Sequence, residues 1–96
     1  MSQEELNNKA MKNLFEAVAA IETPAEAKNF LRDLCTLSEL TSMAERLQVA
    51  KLIENETSYR NIAKRTGAST TTVTRVAHWV HHGMGGYGLI LGRLKA

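Results

Sequence analysis

The chain has 96 residues, a formal net charge of +2, 44% hydrophobic residues and only 5% aromatic ones. These totals fit one small helical domain packed through Leu, Ala, Val and Ile. They exclude an internal disulfide, since Cys35 is the one cysteine, and a transmembrane helix, since no apolar run nears the roughly 18 residues of a span. So short a chain buries a limited share of its surface, so a second copy that covers apolar helices is one route to stability. The polar start MSQEELNNKA lacks the pattern of a secretory leader, and a cytoplasmic protein is expected.

Charge is distributed unevenly. Residues 1–57 hold six basic side chains against ten acidic ones, a net of −4. Residues 58–96 hold Arg60, Lys64, Arg65, Arg75, Arg93 and Lys95 with no acidic residue, a net of +6. A 39-residue stretch without a carboxylate suits a surface that approaches phosphates.

Helical periodicity predicts a first helix from Gln3 to Ile21, with Leu6, Ala10, Met11, Leu14, Val18 and Ile21 on one stripe. Thr23-Pro24-Ala25-Glu26 reads as a capping box that opens a second helix carrying Ala27, Phe30, Leu31 and Leu34. Cys35 is expected to be a small buried side chain. Thr36-Leu37-Ser38-Glu39 repeats the capping pattern and opens a third helix to about Asn55. Its apolar residues (Leu37, Leu40, Ala44, Leu47 and Ala50, widened by Met43, Val49, Leu52 and Ile53) surround much of the helix. That predicts burial on several sides, with a partner chain over it.

The next segment, SYRNIAKRTGASTTTVTRVAH, has the parts of a helix-turn-helix spanning Ser58 to His82. Ser58 caps a helix over Tyr59–Thr66 whose inward positions are Ile62, Ala63 and Thr66. Gly67 supplies the positive φ of the turn, and the small Ala63 lets two helices cross at about 90–120°. Ser69 then caps a helix with Val73, Val76, Ala77 and Val80 inward. The outward residues are Ser69, Thr70, Thr71, Thr72, Thr74 and Arg75, and threonines are poor helix formers that local stability does not explain. Hydroxyls bond phosphates and base edges, Thr methyls touch thymine methyls, and Arg75 can reach guanine bidentately. Arg60, Lys64 and Arg65 are placed for backbone contacts, which position without specifying.

The stretch GMGGYG (Gly83–Gly88) lacks the Gly-Lys-Ser/Thr of a phosphate loop and follows a helix; Gly83 is expected to stop that helix and the later glycines to turn the chain. Leu89, Ile90, Leu91 and Leu94 predict a short helical C-terminal segment docked on the body. His78 and His82 have metal-compatible spacing with His81 adjacent, but no third ligand is evident. A polar or phosphate-facing role is expected, with no metal site and no cofactor. No nucleophile–base or paired-carboxylate arrangement points to an enzyme.

The element order and the run SYRNIAKRTGAS-TTTVTR resemble the Trp repressor superfamily over roughly Thr36 to His82. The RTGAS–TVTRV core and trailing GxGGY are most similar to its Trp-repressor-related (YerC/YecD) branch. The resemblance implies an all-α, intertwined homodimer whose recognition helices enter successive major grooves. It divides the single domain, 1–96, into a dimerisation part (1–57), the helix-turn-helix (58–82) and a Gly-rich turn with C-terminal segment (83–96). It also implies a tryptophan pocket near Arg75. Here Val76 and Trp79 replace small residues, and Glu45 stands where the family places a carboxylate-binding Arg. The expectation is therefore a dimeric, sequence-specific DNA-binding repressor whose effector is not tryptophan. The alternative is a helical protein-interaction adaptor that keeps the fold without reading DNA.

Overall fold

The computed structural model describes residues 3–95, with side chains from Glu5 to Lys95. It contains seven helices and no strand among the described residues: α1 (Gln3–Leu6), α2 (Lys9–Ala19), α3 (Pro24–Leu34), α4 (Leu37–Glu54), α5 (Tyr59–Thr66), α6 (Thr70–His82) and α7 (Gly86–Lys95). They fall into two compact units, Met1–Thr36 and Leu37–Ala96, each described by itself.

In the first unit, Asn8 breaks what the apolar stripe presents as one helix. Its Oδ1 accepts the Met11 N–H at 2.8 Å and its Nδ2 donates to the Glu5 carbonyl at 2.9 Å. One side chain thus closes α1 and caps α2, which an apolar stripe read at constant period cannot register. Thr23 caps α3 as expected, accepting the Glu26 N–H at 3.1 Å. The Glu26 carboxylate accepts from the N–H of Glu22, one residue before the cap, at 3.0 Å. Neither α2 nor α3 contains a buried residue. Phe15 is 49% exposed, and Cys35 is half-buried where the sequence suggested full burial.

The second unit holds the core. Val49, Ala50 and Ile53 of α4 meet Ile62 of α5, Ala68 of the turn, Val73, Val76 and Ala77 of α6, and Leu91 of α7. The buried residues of α4 all lie in its C-terminal half, while Leu37 and Met43 remain 64% and 41% exposed. A helix apolar on so much of its surface therefore presents an uncovered end as well as a packed one.

The α4–α5 junction is a Schellman turn: Thr57 N–H donates to the Leu52 carbonyl and Glu56 N–H to the Ile53 carbonyl, both at 3.0 Å. Its left-handed position is occupied by Glu56, at φ 59°. An L-residue there is strained by about 1–2 kcal/mol, and a glycine forfeits about half that in chain entropy. Glu56→Gly is expected to stabilise the fold by about 0.5–1 kcal/mol, read as a melting temperature higher by several degrees. An unchanged or lower value would contradict a strained turn.

Gly83 ends α6 as expected, but for a different reason from Gly67. Its φ is −85°, and the positive φ of the stretch belongs to Gly85 at 82°. A Cβ on Gly83 would stand 2.4 Å from the Trp79 carbonyl oxygen, so only glycine fits. The C-terminal segment is helical, but α7 docks chiefly through Leu91, with Tyr87 half-buried beside the core. Leu89, Ile90 and Leu94 are 55%, 47% and 64% exposed, because a single helix turns one stripe to the body and the rest outward.

Candidate nucleic-acid interface

Each end of α5 and α6 is fixed by a short-range bond that the sequence dictates. Ser58 Oγ accepts the Asn61 N–H at 3.2 Å and starts α5. Gly67, at φ 76°, ends it. The Thr66 hydroxyl donates to the Ile62 carbonyl at 2.7 Å and accepts the Ala68 N–H at 3.1 Å, tying the last turn of α5 to the inter-helix turn. Ser69 Oγ accepts the Thr72 N–H at 3.1 Å and opens α6. Ile62, Val73 and Val76 are at most 2% exposed, so the angle between the helices is filled and held.

The outward side chains then take defined places. Thr70, Thr71, Thr74 and Arg75 line one shallow hollow at the N-terminal end of α6. Ser69 is exposed beside it, while Thr72 is half-buried and its Oγ1 accepts the Ser69 hydroxyl proton at 3.0 Å. The nine residues expected from the sequence are therefore brought to one helix pair but not to one role. Arg60 and Lys64, four residues apart on α5, are both exposed on a common face. Arg65 faces elsewhere, lining a groove with Glu45, Gln48 and Lys51 of α4 and with Asn55 just beyond it. No carboxylate lies on α5 or α6, so no internal anion competes for these cations on their own helices.

The positions that bear on an amino-acid effector are separated. Val76 is 2% exposed and belongs to the core. Trp79 is 56% exposed and lines an apolar hollow of about 480 Å³ with Leu47, Met84, Tyr87, Ile90 and Leu91. Glu45 lies in the groove beside Arg65, and Arg75 in the threonine hollow. The apolar hollow escaped sequence reading, because Trp79 and Met84 belong to no common periodic stripe. His78 and His82 continue the outward face of α6, with ring centroids 5.4 Å apart. His78 also meets Trp79 edge-on at 5.0 Å.

Two crossed helices with a left-handed glycine turn, set on a longer central helix, define an all-α helix-turn-helix protein. The family model for the Trp repressor protein matches residues 9–95. The Bacillus subtilis (strain 168) protein YerC, itself uncharacterized, is 35% identical over 95 residues, which cover 99% of this chain and 91% of that protein. Among solved structures, a TrpR-like protein from Eubacterium eligens ATCC 27750 superposes with a TM-score of 0.91 at 35% identity, covering 97% of this chain and 96% of that one. A candidate Trp repressor from Staphylococcus aureus superposes with a TM-score of 0.90 at 39% identity, covering 99% and 95%. The chain belongs to the Trp repressor family, a family of DNA-binding regulators, and its likeness to YerC agrees with the Trp-repressor-related branch.

Proposed function

We propose that this protein is a sequence-specific double-stranded-DNA-binding repressor that acts as a cytoplasmic homodimer and is not an enzyme. The observation that carries the reading is the hollow of Thr70, Thr71, Thr74 and Arg75 at the start of a capped, rigidly seated recognition helix. Among the described residues, the Thr70, Thr71 and Thr74 hydroxyls have no hydrogen-bond partner, which leaves them available for base-edge contact. Arg60 and Lys64 supply the phosphate contacts that hold the register, whereas Arg65 lies in the groove beside Glu45.

The homodimer is supported by apolar surface that one chain leaves open. The hollow around Trp79 and the exposed Leu37 and Met43 of α4 are apolar surface that a second copy can cover. Tryptophan is not the effector in this reading. Val76 fills core space, and Glu45 and Arg75 line different depressions, so one chain does not offer a cation pair around an indole-sized space. Titration calorimetry with tryptophan is expected to show no saturable heat, and micromolar binding would overturn this part.

A mobility-shift assay with selected duplexes tests the function. Arg75→Ala should relax base preference, whereas Lys64→Ala should weaken every sequence alike. A protein that binds no duplex even at low salt would be the adaptor instead.

A further inference from the structure

We propose that the bases are read by Thr70, Thr71, Thr74 and Arg75 alone, that Ser69 and Thr72 only hold the helix end presenting them, and that the half-site sets a guanine within two base pairs of a thymine. This rests on the DNA-reading function proposed above and divides six neighbouring polar residues that the sequence makes look equivalent.

The division follows from where each hydroxyl is committed. Ser69 spends its one proton on Thr72 Oγ1, and its oxygen accepts the Thr72 N–H that caps α6. Thr72 is half-buried, with its oxygen held by that bond. Turning the Ser69 hydroxyl toward DNA would uncap α6, and turning the Thr72 hydroxyl would break the bond that orients that cap. Among the described residues, the Thr70, Thr71 and Thr74 hydroxyls have no such bond, and they share their hollow with Arg75. Thr71 and Arg75 are four residues apart on one face, a rise of about 6 Å, which is close to two base-pair steps of about 3.4 Å each. A Thr methyl packs on the thymine C5-methyl and an Arg pairs with guanine O6 and N7, which sets the composition of the half-site.

The experiment measures binding to a duplex selected from a random pool by the wild-type protein, and to each single-base-pair variant of it. Arg75→Ala should reduce discrimination at a guanine by about 5- to 150-fold, and Thr71→Ala should reduce it by about fivefold at a thymine within two pairs. Ser69→Ala and Thr72→Val should leave the ranking of base pairs intact, while the Ser69→Ala melting temperature falls by about 4–8 °C. Ser69→Asn, which keeps a capping oxygen, should restore it. A changed base preference in Ser69→Ala or Thr72→Val, or a half-site without that guanine and thymine, would overturn the division. A wild-type pool with no enriched sequence would instead overturn the DNA-reading function itself.

Discussion

Raising the salt concentration from 50 to 200 mM is expected to weaken the complex with duplex DNA by about 150-fold. Arg60 and Lys64 on the exposed face of α5 contribute two phosphate-directed cations per chain, and a dimer doubles them. Four neutralised phosphates give a log–log slope of about −3.6, and a fourfold rise in salt then costs about two orders of magnitude. Lys64→Ala removes one contact from each protomer, so the slope should become shallower by about 2. Arg75→Ala should leave the slope nearly unchanged if its guanidinium reads a base. Equal slope changes in the two variants would show that Arg75 is a phosphate contact and would remove it from the reading set.

Ile62→Ala should cost about 2–5 kcal/mol and abolish DNA binding at temperatures where the wild type is folded. Ile62 is fully buried, the one buried side chain of α5, and belongs to the core cluster with Val49, Val73 and Val76. Its loss opens a cavity where the two helices of the reading element cross. Against a total stability of about 5–15 kcal/mol for a small protein, that is a large fraction, and the melting temperature should fall by 10 °C or more. Thr71→Ala, on the exposed face of the next helix, should change stability by no more than about 0.5 kcal/mol while still affecting DNA recognition. A core substitution that left melting unchanged would contradict the placement of Ile62.

The helix-turn-helix was legible residue by residue because its requirements are local: a serine cap, a left-handed glycine and a second serine cap lie within a dozen positions. The same locality made Thr23 readable as the start of α3. What escaped reading depended on side chains doing two things at once. Asn8 bonds both backward and forward and divides a stripe whose period continues across it. Ser69 and Thr72 sit on the outward face yet bond to each other, so an outward position did not imply an available hydroxyl. Glu56 adopts a glycine-like conformation without the glycine that would announce it. The C-terminal apolar segment was legible as a helix, but period alone could not separate Leu91, which docks, from Leu89, Ile90 and Leu94, which do not. Arg65 shows the same limit: its charge is plain in the sequence, but its place beside Glu45 comes only from the approach of α5 to α4.

The most direct test of a dimer reading DNA through paired recognition helices is selection of bound duplexes from a random pool by the wild-type protein. The expected result is an enriched, approximately palindromic sequence whose half-sites are centred about one helical turn, 10–10.5 base pairs, apart. Recovery of no preferred sequence, or of a single unpaired half-site bound by one chain, would contradict it.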